Sequence, residues 1–296
     1  MNAIEMINYG DAKDVLRASV VSEPEITEKQ VLIEVFATAV EPYDVKYRKG
    51  LFGTDGKLPV VLGSSLAGIV KEVGPEAEGD LKVGDRVVAS PHFKGYAEYA
   101  AVLGKQVAKL PDDVSFESAT AFALSGQAAY QIVNDELHVT SGDLLLVDGA
   151  NGAVGLSAIQ IAKALGAHVI ALVRDANLEN ESAKYADEVV SNLDDVEFDK
   201  AFDVIGGDVL ADIVVNANPS AKVVSINNET EYNNVENTYM KSNGESLEKV
   251  VNLVAGDRIE VPIAHVYELT QDDLIQAHLD YEQKKYQLGK LVIKVK

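Results

Sequence analysis

The stretch that decides the fold is SGDLLLVDGANGAVGLSAIQIAKALGAHVIALVR, residues 141–174. Within it, Leu144–Val147 is a short uninterrupted apolar run, which is typical of a strand covered on both faces in a parallel sheet. Apolar residues recur at helical spacing from Val154, Gly166 marks the end of that helix, and a second apolar run covers residues 168–173. Strand, turn, helix and strand in this order predict a βαβ unit with a right-handed crossover.

Three glycines lie between the first strand and the helix, at positions 149, 152 and 155. In a dinucleotide-binding turn, glycines let the chain bend sharply, let the backbone approach a pyrophosphate and let the helix pack closely on the strand. The unpaired N–H groups and the positive end of the helix dipole then face the phosphates. The spacing Gly-x-x-Gly-x-x-Gly departs from the usual Gly-x-Gly-x-x-Gly, so an ordinary glycine-rich turn is the alternative. We predict that a dinucleotide cofactor contacts the whole turn: Gly149, Ala150, Asn151, Gly152, Ala153, Val154 and Gly155.

The residues at the end of the second strand predict which cofactor binds. A carboxylate about 20 residues beyond the glycines accepts hydrogen bonds from the ribose of NAD, whereas an arginine accommodates the 2′-phosphate of NADP. Arg174 stands at this place, and its planar, permanently charged guanidinium suits a phosphate. The sequence therefore favours NADPH over NADH. Two alternatives stay open: an inward-pointing Asp175 would favour NAD, and Arg174 could be a solvated residue at the strand end.

Length, charge and composition narrow the class of protein. At 296 residues the chain exceeds what one hydrophobic core usually holds, so two domains are expected. The absence of cysteine excludes disulfides, thiolate catalysis and cysteine-ligated zinc. A formal net charge of −21 disfavours nucleic acid and anionic membranes as partners. The sequence shows neither an apolar run of membrane-spanning length nor a signal-peptide pattern, so we expect a cytoplasmic enzyme with a small-molecule substrate.

The two halves of the chain differ in their patterns. Over residues 31–102, short strands alternate with turns rich in Gly, Pro and Asp, which predicts a partly open β-barrel. An Ala-rich helical pattern over residues 116–133 then leads into the glycine turn. Beyond Arg174, strand and helix segments alternate, which predicts an open, doubly wound sheet. The last part of the chain returns to a helix, with Thr270 as its N-cap, and a final strand.

Several short segments follow one another in an order that is specific to one family. They are ATAVEPYD at 37–44, LPVVLG at 58–63, AGIVKEVG at 67–74, VGDRV at 83–87, GYAEY at 95–99, GQAAY at 126–130, AH at 277–278 and GK at 289–290. Together they resemble the medium-chain dehydrogenase/reductase superfamily, in its zinc-free quinone-oxidoreductase-like branch, over nearly the whole chain.

The resemblance implies an α/β fold of two domains. A GroES-like β-barrel domain would comprise residues 1–125 and 262–296, and a Rossmann domain with a doubly wound parallel sheet would comprise residues 126–261. The resemblance also implies an active site in the cleft between these domains. It further implies a homodimer paired through edge strands of the Rossmann sheets, in line with the general preference for two-fold pairing.

The chain departs from the zinc-dependent members of the family. Where they carry a cysteine and a His-Glu pair, this chain has Pro42, Ser64 and Ser65, and their lobe of closely spaced cysteines is missing. Proline and hydroxyl side chains do not make a tetrahedral zinc site, so we predict that no zinc is bound. Glu41 and Ala128 replace an asparagine and a threonine that are common in quinone reductases. The alternatives are a zinc-type alcohol or aldehyde dehydrogenase with an unusual metal site and a non-catalytic NADP(H)-binding sensor.

A site without a metal must polarise the substrate oxygen with hydrogen-bond donors or water. This suits hydride transfer from NADPH to a quinone or to an activated enone or carbonyl. Tyr43 is the predicted catalytic residue, with its ring as a stacking surface and its phenol as donor to the developing oxyanion. A barrel tyrosine with an ordinary hydrogen bond is the alternative. His92 is predicted to be a surface histidine rather than an acid catalyst, and Arg48 to form a surface ion pair with Asp44.

The remaining predicted site residues come from strand ends, aromatic positions and family elements. In open sheets, ligands bind at the carboxyl ends of the strands, which places glycines and polar residues there near the cofactor. The predicted pocket-lining residues are Glu41, Phe52, Phe93 and Tyr239. The further predicted cofactor contacts are Gly206, Gly207, Ile226, Asn227 and Lys290.

Overall fold

A computed structural model describes residues 1–175, 181–227, 232–256, 258–286 and 288–296 of the protein. The contacts among these residues divide the chain into two compact units. The first unit contains Met1–Leu124, Ser242–Ala255 and Val261–Lys296, and the second unit contains Ser125–Lys241 and Gly256–Glu260.

The N-terminal part of the first unit is built mainly from strands. They are β1 (Asn2–Met6), β2 (Leu16–Val20), β3 (Gln30–Ala39), β4 (Val60–Val61), β5 (Leu66–Val73), β6 (Arg86–Ala89), β7 (Tyr99–Leu103) and β8 (Val107–Lys109). The helices are α1 (Ala12–Val15) and α2 (Pro42–Arg48), and a 3-10 turn covers Gly104–Gln106; α3 (Phe116–Tyr130) begins in this unit and ends in the second. α2 begins with a proline, whose fixed φ and missing N–H suit the first helical position.

The second unit alternates strands and helices. Its strands are β9 (Leu144–Val147), β10 (His168–Leu172), β11 (Glu188–Val190), β12 (Lys200–Asp203), β13 (Lys222–Ser225) and β14 (Val235–Asn237). Its helices are α4 (Ala153–Ala164) and α5 (Gly207–Asn216), with a π turn over Gln131–Glu136 and a 3-10 turn over Glu181–Lys184. The strands run parallel in the order β11-β10-β9-β12-β13-β14. The predicted doubly wound sheet is confirmed.

The βαβ unit predicted from residues 141–174 is β9, α4 and β10. β10 lies parallel to β9, with Val169 opposite Leu145. Most side chains of these strands are buried: on one face Leu146 and Ile170 pack into a core that also includes Phe198, and on the other face Leu145 and Val169 are fully buried. Continuous apolar runs are the pattern that a strand needs when both of its faces are covered.

The C-terminal part of the chain returns to the first unit. It forms α6 (Gly244–Ala255), β15 (Ile263–Glu268), α7 (Gln271–Glu282) and β16 (Lys290–Lys294). Thr270 caps α7 as predicted, since its hydroxyl accepts a 3.1 Å hydrogen bond from the Asp273 N–H. β16 lies between β15 and β3 in the large sheet β15-β16-β3-β5-β6-β8, to which β7 adds by pairing with β3. A second sheet has the order β2-β1-β4.

The place of α6 differs from the domain boundaries that the resemblance implies. The sequence predicts one domain over residues 126–261, whereas α6 groups with the first unit. The reason is its packing against β8 and the 3-10 turn before it. Gly244 lies so close to β8 that an added Cβ atom would be 2.5 Å from the Val107 carbonyl oxygen.

In the part of the chain that the structure describes, no helix is both long enough and apolar enough to span a membrane.

Candidate active site

The turn between β9 and α4 has a backbone geometry that requires glycine. Gly149 has a φ of +56°, in the left-handed region that other residues rarely adopt. At Gly155, an added Cβ atom would lie 2.4 Å from the Gly149 carbonyl oxygen and 2.9 Å from the Ala150 Cα atom. The turn and the start of the helix are therefore in direct backbone contact, with no room for a side chain between them.

The first turn of α4 is suited to an anion. Gly152 is the N-cap residue, and its N–H donates a 2.8 Å hydrogen bond to the Gly149 carbonyl. α4 is 12 residues long and carries no acidic side chain in its first turn. The N–H groups at a helix start and the positive end of its dipole attract phosphate. The residues present in this turn thus fit the pyrophosphate of a dinucleotide.

Two buried carboxyl groups, Asp148 and Asp203, lie beside the glycine turn at the ends of β9 and β12. Asp148 accepts a hydrogen bond from the Val204 N–H, and Asp203 accepts one of 2.8 Å from the Gly206 N–H. Burial, and next the neighbouring Asp203 carboxyl, raises the pKa of Asp148 to about 8. Asp148 therefore holds a proton at neutral pH and adds no negative charge where a phosphate would bind.

The residues predicted at the ends of β12 and β13 meet each other. Gly206 has a φ of +76°, and an added Cβ atom there would lie 2.3 Å from Asn227 Nδ2. The same Asn227 amide donates a 2.7 Å hydrogen bond to the Ile205 carbonyl. Gly207 begins α5, and Ile226 is half-buried. These residues share the sheet edge that carries the glycine turn, because the carboxyl ends of parallel strands lie at one edge.

The other predicted residues of the second unit are Arg174 and Tyr239. Arg174 follows β10 and is exposed, and Asp175 beside it is half-buried. Residues 176–180, which come next, lie outside the described part of the chain. Tyr239 is 66% exposed. It belongs to the second unit, whereas the other three predicted pocket residues belong to the first.

In the first unit, Tyr43 lies in a group of aromatic rings, which we call the aromatic cluster: Tyr43, Tyr47, Phe52, His92 and Phe93. The centre of the Tyr43 ring is 5.2 Å from that of Phe52 and 5.6 Å from that of Phe93. Phe93 is buried, whereas Phe52 is 55% exposed. The structure thus brings three predicted site residues together and leaves an apolar ring open to a ligand.

His92 belongs to this cluster although the sequence predicts only a surface histidine. The side chain is exposed, as predicted, but the Tyr43 hydroxyl lies 3.2 Å from both of its ring nitrogens. Burial raises the pKa of Tyr43, and the charge of Asp44 raises it further. Partial burial of its ring lowers the pKa of His92. At neutral pH the pair is therefore a protonated phenol beside a mostly neutral imidazole.

Glu41 and Lys290, which the sequence places in the pocket and at the cofactor, form an ion pair with each other. The Lys290 ammonium contacts Glu41 Oε2, and the Ser65 hydroxyl donates a 2.9 Å hydrogen bond to Glu41 Oε1. Glu41 is fully buried and Lys290 is 6% exposed. Within the first unit, the charge of each of these two side chains is therefore balanced by the charge of the other. Their predicted contacts with substrate and cofactor stay predictions.

The predicted surface ion pair between Arg48 and Asp44 is wrong. Both side chains are fully buried, and each has other partners. Asp44 accepts hydrogen bonds from the Gly63 and Ser64 N–H groups, both 3.2 Å, and from the Ser64 hydroxyl at 2.6 Å. Burial raises the pKa of Asp44 to about 6, although the Ser64 hydrogen bond opposes this shift. The Asp44 carboxyl group therefore holds the loop that follows β4 and does not pair with Arg48.

Arg48 joins α2 to the C-terminal helix α7. Its guanidinium forms an ion pair with Glu282 and donates a 3.3 Å hydrogen bond to His278 Nδ1. His278 is fully buried, and burial lowers its pKa to about 3, so it is neutral. The sequence does not reveal this network. The one signal is that Leu274, Ala277 and His278 lie at helical spacing on one face of α7, which marks His278 as a core residue.

At two of the positions where the resemblance implies zinc ligands in the zinc-dependent members, the side chains of this chain make other hydrogen bonds. Ser64 and Ser65 donate to Asp44 and Glu41, as described above. Among the residues that the structure describes, no group of three or more His, Asp or Glu side chains is placed to hold a metal ion.

Comparison with known proteins agrees with this geometry. The alcohol dehydrogenase GroES-like domain family matches residues 27–139. The chain is 32% identical over 225 residues to a quinone oxidoreductase of Lama guanicoe, a match covering 74% of this chain and 68% of that protein. It is 36% identical over 171 residues to a quinone oxidoreductase of Pongo abelii, covering 57% of this chain and 52% of that protein. The chain therefore matches only about half the length of some of these relatives.

A solved structure agrees over the whole chain. The quinone oxidoreductase of Escherichia coli in complex with NADPH superposes with a TM-score of 0.85 and 25% identity, covering 100% of both chains. Its fold combines the elements that the two units show here. The protein therefore belongs to the medium-chain dehydrogenase/reductase superfamily, in its quinone-oxidoreductase-like branch.

Proposed function

We propose that this chain is an NADPH-dependent oxidoreductase that transfers a hydride to a quinone or to an activated enone or carbonyl, without zinc. The observation that carries the proposal is the packing of the glycine turn, where a side chain at Gly155 would collide with the Gly149 carbonyl. A turn of this kind at a helix start suits a dinucleotide pyrophosphate. Family membership supports the same class of cofactor.

In this proposal the second unit binds the cofactor. The seven residues of the glycine turn hold the pyrophosphate, and Gly206 and Asn227 contribute from the neighbouring strand ends. Arg174 neutralises the 2′-phosphate, for which its exposed guanidinium is available. The protonated Asp148 adds no negative charge of its own beside the phosphates. When bound, the reduced nicotinamide supplies the hydride.

The first unit binds the acceptor. The exposed ring of Phe52 and the half-buried ring of Tyr43 form a surface on which a planar quinone or enone stacks. The Tyr43 hydroxyl donates a hydrogen bond to the acceptor oxygen and stabilises its negative charge as that charge develops. This donor replaces the metal that a simple alcohol substrate would need.

Cofactor titrations test the binding site. We expect NADPH to bind more tightly than NADH, and Arg174→Ala to weaken NADPH by about 10- to 100-fold, because it removes charge-assisted hydrogen bonds. NADH binding should change little. Arg258→Ala, which removes another exposed arginine of the second unit, is the matched control. Equal weakening of both cofactors by Arg174→Ala would contradict the assignment of the 2′-phosphate site.

Turnover with a panel of quinones and enones tests the reaction. The expected result is oxidation of NADPH by at least one acceptor class, with no bound zinc in the purified protein. Stoichiometric zinc would favour a zinc-type alcohol or aldehyde dehydrogenase. Tight NADPH binding without oxidation by any acceptor would favour a sensor that keeps the fold but performs no catalysis.

We expect a cytoplasmic homodimer, which the family resemblance and the general preference for two-fold pairing support. Light scattering should give about twice the mass of one chain, and a mass near 31.8 kDa would contradict the dimer.

A further inference from the structure

His92 has no role in the reaction proposed above, yet it lies against the phenol on which that reaction depends. The Tyr43 hydroxyl is 3.2 Å from His92 Nδ1 and 3.2 Å from Nε2, and the two ring centres are 5.2 Å apart. The phenol oxygen therefore lies within hydrogen-bond distance of both ring nitrogens. Either nitrogen can be the partner of the phenol, and the tautomer decides which nitrogen donates and which accepts.

Phe93 packs against both rings of the Tyr43–His92 pair, and His92 is exposed to solvent. Phe93 is 8% exposed, stacks on Tyr43 and lies with its ring centre 4.2 Å from that of His92. His92 itself is exposed, whereas Tyr43 is half-buried. The imidazole thus connects the phenol to solvent, while the exposed ring of Phe52 has its centre 5.2 Å from that of Tyr43.

We propose that His92 positions Tyr43 and relays protons to it from solvent during reduction of the acceptor. This inference rests on the proposed function, because it needs an acceptor oxygen that becomes negatively charged. His92 does not touch the acceptor and acts through Tyr43. It is therefore a positioning and relay residue, and Tyr43 is the catalytic one.

Tyr43, His92 and water together supply the proton that the reduced acceptor takes up. After the acceptor has taken up the hydride, its oxygen carries a negative charge. The Tyr43 O–H bond breaks and an O–H bond forms on the acceptor. His92 in its imidazolium form then gives an N–H proton to the Tyr43 oxygen, and the neutral imidazole that remains takes up a proton from solvent. One proton passes from solvent to product, and no electrons pass through either side chain.

The charges around the pair set the expected pH dependence. Partial burial of its ring places the pKa of His92 below its usual 6.5. The other titratable groups near the pair are Asp44, whose charge raises the pKa of Tyr43, and Tyr47, whose ring packs against Tyr43. Lys94 follows in the chain but directs its ammonium to a backbone carbonyl. An imidazolium that donates to Tyr43 makes the phenol a stronger acid, so kcat should rise as the pH falls through the pKa of His92.

Steady-state kinetics over a pH series tests the relay. We expect His92→Gln to lower kcat about tenfold with KM unchanged, and to abolish the rise of kcat at acidic pH. Tyr43→Phe should lower kcat about 100-fold, and the double variant should be no slower than Tyr43→Phe alone. The control is His265→Gln, because His265 is also exposed and packs against the rings of Tyr267 and Tyr286. This variant should keep the wild-type pH profile.

A second readout does not depend on turnover. The imidazole pKa of His92, measured by NMR in the resting protein, should shift in Tyr43→Phe. A wild-type pH profile in His92→Gln, or a His92 pKa that ignores Tyr43→Phe, would overturn the relay and leave the proposed function in place. If none of the quinones and enones in the panel is reduced by NADPH in the presence of the wild-type protein, the proposed function itself is overturned, and the relay with it.

Discussion

Asp148 is a buried carboxyl group directly before the glycine turn, and its pKa in the folded protein is raised to about 8. In the unfolded chain an aspartate has a pKa of about 4. Between these two values the folded protein holds a proton that the unfolded chain has released. The free energy of unfolding contributed by this group is therefore complete below about pH 4 and falls as the pH rises towards 8.

Unfolding by urea at two pH values checks this dependence. We expect the wild-type protein to lose about 1 kcal/mol of stability between pH 7 and pH 8, whereas Asp148→Asn stays flat because its side chain does not titrate. Asp44 and His278, with pKa values of about 6 and about 3, complete most of their titration below this range. Asp212→Asn, which changes an exposed aspartate of α5, should behave like the wild type. A wild-type stability that is constant or rising over this range would contradict the raised pKa.

At the same scale, the sequence predicts the glycine turn well and the buried charges poorly. Position 149 needs glycine because its φ is positive, and position 155 needs glycine because the backbone of the turn lies against it. A glycine at each position in the sequence therefore predicts the geometry of the turn. A charged residue such as Arg48 carries no such information. Its partner His278 lies 230 positions away in the chain, and only the folded structure shows that the two meet.

At the scale of elements, one buried ion pair joins the start of β16 to the residue that precedes α2. Lys290 is the first residue of β16, and Glu41 is the N-cap residue of α2. Removing one member of a buried pair leaves the other charge without compensation, whereas removing both charges costs much less. The pair therefore couples the position of α2, which carries Tyr43, to the completion of the large sheet.

A double-mutant cycle measures this coupling. We expect Lys290→Met to lower the free energy of unfolding by about 3–5 kcal/mol, and the double variant with Glu41→Gln to recover most of the loss. Lys294→Met, at the other end of β16, should cost far less, because Lys294 is half-buried. The NADPH affinity of folded Lys290→Met should stay near that of the wild type. A large loss of NADPH affinity would instead support the cofactor contact that the resemblance implies for Lys290.

Elements with a strong local pattern are the ones that the sequence predicts. The apolar runs of β9 and β10 and the helical spacing of α4 are confirmed, and so is the Thr270 cap of α7. The membership of α6 could not be predicted in this way. Its residues indicate a helix, but its packing against β8 depends on contacts between residues about 140 positions apart.

At the scale of the whole molecule, the net charge of −21 opposes an anionic cofactor. Salt screens this repulsion, with a screening length of about 10 Å at 0.1 M. We therefore expect the association rate constant of NADPH, measured by stopped-flow fluorescence, to rise severalfold between about 0.01 M and about 0.2 M salt. Arg174→Ala should steepen this rise, because it removes a local attraction. A rate constant that falls with salt would show that local positive charge outweighs the overall field.

The position of β16 gives the order of synthesis a consequence for the cell. While a ribosome is still translating the chain, the C-terminal end of β3, residues 37–39, lacks its neighbour on one side until residues 290–294 emerge from the exit tunnel. The second unit, whose last segment ends at Glu260, can finish earlier. A product released before that strand is made would present a bare sheet edge, which chaperones and proteases recognise. Late completion of the sheet thus gives quality control a simple way to tell finished molecules from aborted ones.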